Sequence, residues 1–203
     1  MIHFTLDGAA VTAAPGESLW SAAQRAGVAI PHLCHLPRPG YRPDGNCRAC
    51  MVEIEGERVL AAACIRAPRE GMVVRSESSA RAQATRRMVF ELLLADAAPR
   101  DATGGFAGWA ARLGVTASRF APEAARPAPD FSHPAMAVQL DACIQCGLCE
   151  RACREVQHND VIGMAARAMA TQVVFDLADP MGASSCVACG ECVQACPTGA
   201  LLP

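Results

Sequence analysis

Twelve cysteines in 203 residues are the side chains here most able to do chemistry, and their spacing indicates which. Toward the C-terminus the chain reads C-I-Q-C-G-L-C-E-R-A-C from Cys143 and, after an intervening segment, C-V-A-C-G-E-C-V-Q-A-C-P from Cys186. Two C-x2-C-x2-C-x3-C runs are the ligand spacing of a pair of [4Fe–4S] clusters. Three thiolates of each run can face one cubane, while the fourth, beyond a helix start, serves its neighbour. That crossing assigns Cys143, Cys146, Cys149 and Cys196 to one cluster. It assigns Cys186, Cys189, Cys192 and Cys153 to the other. Gly147 and Gly190 follow the second cysteine of each run, where a missing Cβ lets backbone N–H groups approach the sulfurs. Four-thiolate zinc is the alternative, although zinc sites seldom add a third cysteine at x2 or a proline after the fourth.

The other four cysteines are Cys34, Cys47, Cys50 and Cys64, separated by 12, 2 and 13 residues. One loop and its flanks could supply these four thiolates to a [2Fe–2S] rhomb, with Gly40 and Gly45 loosening the backbone. The first interval is longer than in the plant-type C-x4-C-x2-C pattern. A Rieske centre would need two histidines with two cysteines. His32 and His35 flank Cys34, but none lies near Cys47, Cys50 or Cys64, so both read as partly exposed loop side chains. Zinc at this site stays open on spacing alone.

Several elements must position these cysteines. Ile2–Leu6 and Ala10–Ala13 alternate around Asp7-Gly8, a hairpin signal. Ser18 and Gly27 bracket a short helix. Met51–Glu55 and Arg58–Ala63 read as a second strand pair. Ser79–Ala95 is the longest helical pattern, with Ala82, Met88, Val89, Leu92 and Leu93 on its apolar side and Arg81, Arg86 and Arg87 largely elsewhere. Residues 97–134, rich in proline and glycine, read as a connector with a short helix near Trp109–Leu113. Gly104–Gly108 fits neither G-x-G-x-x-G nor a P-loop. A helix should continue from Arg151 to Gln157, and Thr171–Phe175 should be a strand. The expected fold is α+β: residues 1–78 a β-grasp-like [2Fe–2S] domain, 79–134 a helical connector, and 135–203 a two-cluster [4Fe–4S] domain.

Composition excludes other classes. A net charge of −2 argues against phosphate-driven nucleic-acid binding. No apolar run is long enough to span a membrane. Met1–Gly8 lacks a basic start and an apolar core, so no secretory leader is expected, and the cysteines read as metal ligands in a reducing cytoplasm. All 18 basic residues are arginine, which reads as compositional bias. Arg48, Arg151 and Arg154 lie near ligands and could raise cluster potentials or meet a partner's carboxylates; as solvated charges they would do neither.

The order of the cysteine sets, with Pro31-His32-Leu33-Cys34, Gly45–Glu53, Ser132–Val138, Asp141–Gly163 and Asp179–Leu201, resembles the N-terminal iron–sulfur region of the alpha subunits of NAD-dependent molybdenum or tungsten formate dehydrogenases. More distantly it is similar to the iron–sulfur subunit of the NAD-reducing hydrogenase diaphorase and to the large iron–sulfur subunit of complex I. The resemblance implies an electron-transfer component, not catalytic alone, between a Mo/W-bis-pterin catalytic subunit or domain and flavin/NAD diaphorase subunits. A free-standing ferredoxin-like carrier, or a diaphorase subunit of an NAD-reducing hydrogenase, is the alternative; a redox or iron sensor would favour an unpaired cysteine, and all twelve are consumed. In those relatives a segment after the first domain often holds a further cluster through one histidine and three cysteines. Leu94–Ala121 has neither residue type, so that cluster is expected to be absent, with Trp109, Leu113 and Phe120 keeping the packing. The pterin domain that follows in formate dehydrogenase would lie beyond Pro203, making this chain either a separate subunit or a piece of a longer one.

Overall fold

The computed structural model describes residues 1–98, 105–120 and 128–203. Its first part is a mixed sheet with a short helix packed on it. Strands β1 (Ile2–Leu6) and β2 (Ala9–Ala13) form the expected antiparallel hairpin. Asp7 and Gly8, at φ 50° and 84°, make the left-handed turn that suits the twist of the flanking strands. Helix α1 (Leu19–Arg25) starts where the Ser18 hydroxyl accepts the Ser21 N–H and buries Leu19, Trp20, Ala22 and Ala23. Strands β3 (Met51–Ile54) and β4 (Ala61–Ala62) pair antiparallel, β4 being much shorter than its sequence suggests. Strand β5 (Val73–Arg75), which has no clear sequence signal, is the middle strand of the order β2-β1-β5-β3-β4, parallel to β1 and antiparallel to β3. Phe4, Leu6, Leu19, Trp20, Val52 and Val74 share one core.

Helix α2 (Ala80–Asp96) is capped by the Ser79 hydroxyl on the Ala82 N–H. Its buried face differs from the expected one. Ala82, Arg86, Phe90 and Ala95 point inward, whereas Met88 and Leu92 are exposed. The cause is Arg86, whose fully buried guanidinium donates to the Met51 carbonyl at 2.9 Å, the Glu77 carboxylate at 2.9 Å and the Ser76 hydroxyl at 2.6 Å. A charge so partnered can sit where an apolar residue would be expected.

Phe90 meets Phe106, the first residue of α3 (Phe106–Arg112), with ring centroids 5.0 Å apart. Trp109 and Leu113 pack on the same core, while Phe120 is substantially exposed. Pro99, Gly104, Pro122 and Pro127 of the expected connector lie outside the described residues. The C-terminal part repeats one plan twice. Each cysteine run leads into a short helix, α4 (Leu148–Arg151) or α5 (Glu191–Ala195). Helix α4 continues as a π-helical turn over Ala152–Val156. Small antiparallel pairs close the unit: β6 (Ala137–Val138) with β9 (Leu201–Leu202), and β7 (Ile162–Ala165) with β8 (Gln172–Phe175). The result is an α+β, ferredoxin-like arrangement. No helix among the described residues is long and apolar enough to cross a membrane.

Candidate metal centres

The first cysteine set gathers where two cores meet. Cys50 and Cys64 belong to the sheet core, with their sulfurs 3.4 Å apart. Cys34 belongs to the C-terminal core and Cys47 packs against it. The two grip each other reciprocally: the Cys34 N–H donates to Cys47 Sγ at 3.4 Å and the Cys47 N–H to Cys34 Sγ at 3.3 Å. Cys50 sits just before β3 and Cys64 just past β4, so the β3–β4 register presents that pair. Gly45, beside this loop, takes a left-handed backbone that suits glycine. It stands at φ 63°, and a Cβ there would lie only 2.8 Å from Ile65 Cδ1.

The four thiols depend strongly on one another electrostatically. Hydrogen bonds from Cys47 and Cys64 pull Cys34 down to about 2. Donating to Cys34 pushes Cys47 up, and donating to Cys34 and Cys50 pushes Cys64 up. Without a central positive charge the sulfurs must share protons, because adjacent buried thiolates repel. Iron between them would permit all four to ionise. The donor set therefore fits a [2Fe–2S] group.

In the C-terminal part the cysteines line two cavities, with the fourth member crossed between runs. Cys143, Cys146, Cys149 and Cys196 line one, together with Ile144, Val173 and Leu201. Cys186, Cys189, Cys192 and Cys153 line the other, with Ile162, Phe175 and Met181. Cys153, on the π-helical turn that follows α4, lines the other cavity from Cys149. The repeats match in backbone detail. Gln145 and Ala188 stand at φ 54° and 57°, and Gly147 and Gly190 both at 73°. Those left-handed positions curl each loop so that N–H groups face sulfur. The Gln145 N–H reaches Cys143 Sγ at 3.3 Å and the Ala188 N–H reaches Cys186 Sγ at 3.4 Å. The fourth cysteines receive the same kind of bond, from Val161 to Cys153 at 3.3 Å and from Ala200 to Cys196 at 3.2 Å.

Burial pushes the Cys143, Cys146 and Cys149 thiols up, and raises Cys192 to about 12. A cavity that disfavours bare thiolates while aiming N–H donors at sulfur fits a polynuclear cationic centre. Among the described residues no three His, Cys, Asp or Glu side chains converge to hold a single metal ion. Each thiolate of an iron–sulfur cluster binds its own iron or shares it with one other, so the sulfurs surround a volume and need not meet at a point.

The histidines beside Cys34 depart from the expected partly exposed state. His35 is buried, with its ring edge-on to Trp20 at 4.5 Å and neither nitrogen hydrogen-bonded. His32 is half-buried, 4.6 Å from Trp20 and 6.0 Å from Trp109. Trp20 draws both inward, anchored by its own N–H on the Ile30 carbonyl at 3.0 Å. Of the three arginines singled out by sequence, Arg48 and Arg154 are exposed. Arg151 is buried and donates to the Cys34 carbonyl at 2.8 Å and to Asp44. Asp44, Arg38, Tyr41 and Glu191, which join the two halves, carry no local sequence signal, since their partners lie more than 100 residues away.

Comparison with known proteins assigns the two halves to iron–sulfur domain types. Residues 1–79 match a 2Fe-2S iron-sulfur cluster binding domain and residues 139–200 a 4Fe-4S dicluster domain. The whole chain is 32% identical to part of the NADP-reducing hydrogenase subunit HndD of Solidesulfovibrio fructosivorans, covering 36% of it. It is 33% identical to part of an NADH-quinone oxidoreductase subunit of Rhizobium meliloti, covering 24% of it. The chain thus spans about a quarter to a third of the length of these curated relatives. A chain in the crystal structure of NAD+-reducing [NiFe]-hydrogenase, in its H2-reduced state, superposes with a TM-score of 0.86 at 30% identity, over 99% of this chain and 86% of that one. The chain belongs to the iron–sulfur family that joins a 2Fe–2S domain to a 4Fe–4S dicluster domain, related to subunits of NAD(P)-linked hydrogenases and of NADH-quinone oxidoreductase.

Proposed function

We propose that this chain is an electron-transfer component of an NAD(P)-linked oxidoreductase complex. It would hold one [2Fe–2S] cluster on Cys34, Cys47, Cys50 and Cys64. One [4Fe–4S] cluster would sit on Cys143, Cys146, Cys149 and Cys196, and a second on Cys186, Cys189, Cys192 and Cys153. The observation that carries the reading is the sorting of all twelve cysteines into three sets of four, two of them crossed between runs. Such clusters accept and release one electron at a time. The chain's own part is to hold the thiolates, aim N–H donors at sulfur and exclude water, which together tune potential.

For the electron source we favour formate, oxidised at a molybdenum or tungsten pterin centre, with a flavin subunit reducing NAD beyond the [2Fe–2S] site. That choice rests on the sequence resemblance running through Asp141–Gly163 and Asp179–Leu201. A hydrogenase complex is the second reading, favoured by the hydrogenase relatives. Metal analysis of the native complex separates them: molybdenum or tungsten supports the first, nickel the second. The relay role is tested by Cys47→Ser with Cys50→Ser in the assembled complex. Substrate oxidation with a dye that takes electrons near the catalytic metal should survive, while NAD reduction collapses. Equal loss of both activities, with the complex intact and its other metals present, refutes the terminal-relay assignment.

A further inference from the structure

The 12 residues between Cys34 and Cys47 outnumber the four of the plant-type interval, and their contacts show where the extra length goes. Arg38 donates to the Glu191 carboxylate at 2.8 Å, and the Tyr41 hydroxyl donates to the same oxygen at 2.8 Å. Asp44 accepts from Arg151. Asn46 Nδ2 donates to the Gln145 carbonyl at 3.1 Å. Glu191 opens α5 and Arg151 closes α4. A loop tethered at both ends by [2Fe–2S] thiolates therefore holds both helices that carry the [4Fe–4S] thiolates.

The two cysteine runs differ in polarity where the loop attaches. Glu191 occupies the repeat position of Leu148, and Arg151 that of Gln194. The ligand frame is duplicated, while the attachment points are not. Arg151 is central among them. Its planar guanidinium reaches the carbonyl of a [2Fe–2S] cysteine with one nitrogen and Asp44 with another. Only an arginine fork spans two acceptors so placed without repositioning. Its side chain is 4% exposed, so water competes little for its donors. Arg42, which reaches Glu155 at 2.9 Å, is 61% exposed and adds little. Pro37, Pro39 and Pro43 restrict the loop backbone.

We propose that the Cys34–Cys47 loop is an intrachain lock, with Arg151 its central positioning residue, that sets the separation between the [2Fe–2S] site and the cubane sites. The proposal rests on the cluster assignments given above. The separation matters because electron transfer slows steeply with distance, so two cluster domains on one chain relay efficiently only if held in register.

The test is performed on the cluster-loaded full chain. A [2Fe–2S] signal close to fast-relaxing cubanes is itself fast-relaxing, so the microwave power that half-saturates it reports their separation. Arg151→Met, which leaves Asp44 paired with Arg42, should lower that power several-fold while iron content stays at the parent level. Arg151→Lys keeps the charge without the fork and should recover only part of the effect; full recovery would overturn the geometric role. If Arg151→Met loses iron, Arg38→Met with Tyr41→Phe releases the α5 arm while leaving the Cys34 carbonyl its donor. Unchanged half-saturation in that loaded variant also overturns the lock. An unmodified chain that binds no iron defeats the cluster assignments themselves, which is distinguishable from a loaded chain whose variants relax normally.

Discussion

Cys153→Ser is the perturbation that best separates the crossed assignment from a simple reading in which each run holds its own cubane. Cys153 lies four residues after Cys149 in sequence but lines the cavity of Cys186, Cys189 and Cys192. Serine keeps nearly the same size and still accepts the Val161 N–H that now reaches Cys153 Sγ at 3.3 Å, so the backbone has little cause to move. What it lacks is a thiolate for iron. With one [2Fe–2S] and two [4Fe–4S] clusters the chain holds about ten iron, of which about four should be lost or converted to a three-iron form. The assay is iron and acid-labile sulfide per chain, with electron paramagnetic resonance of the reduced protein beside the matching Cys196→Ser variant. The two variants should lose different cubane signals, Cys153→Ser sparing the one held by Cys143, Cys146 and Cys149. Loss of that signal from Cys153→Ser would refute the crossing, since the nearer-in-sequence set would then own the residue.

Arg86→Met keeps the volume of a buried side chain but leaves the Met51 carbonyl and Ser76 hydroxyl without their donor. At about 1–3 kcal/mol for each such group, the thermal midpoint should fall by roughly 5–15 °C at fixed scan rate, with Arg87→Ala on the exposed side as a near-silent control. A negligible shift would mean the guanidinium contributes no net stability. Asp7 works against burial, yet hydrogen bonds from the Ser78 hydroxyl and the Ser78, Ser76 and Glu77 N–H groups hold its carboxyl below the usual 3.8. Because the folded value is the lower one, its stabilisation is complete above that usual value and disappears as pH falls through the folded value. Asp7→Asn should accelerate amide exchange at Ser76 and Ser78 at pH 7 by roughly 30-fold, for a loss of about 2 kcal/mol, and remove the acid dependence seen in the parent. Equal pH dependence in both proteins would contradict this role.

What is legible in the sequence and what is not divide along contact distance. The cysteine runs can be read because three of four thiolates per cubane site come from one loop, and the Asp7-Gly8 turn and the Ser18 and Ser79 caps are equally local. Strand β5 is hidden because Val73-Val74 is a brief apolar stretch beside Arg75, made a strand by parallel pairing with Thr5 and Leu6. The inward face of α2 defies its periodicity because Arg86 is satisfied by Met51, 35 residues away. His35 lies deeper than its loop suggests because Trp20, which encloses it, is on α1. Arg151 stands out beside a ligand, but nothing local announces its bond to the Cys34 carbonyl 117 residues earlier. The formate reading belongs to the sequence resemblance, whereas the relatives found by comparison include hydrogenase and NADH-quinone oxidoreductase components.

The most direct measurement for the account as a whole is metal and sulfide analysis of anaerobically prepared chain, followed by spectroscopy after stepwise reduction. The three-set arrangement requires about ten iron with equal acid-labile sulfide, a [2Fe–2S] signal and two interacting [4Fe–4S] signals. Tightly bound zinc with little iron, or a single cubane signal at full occupancy, would contradict it.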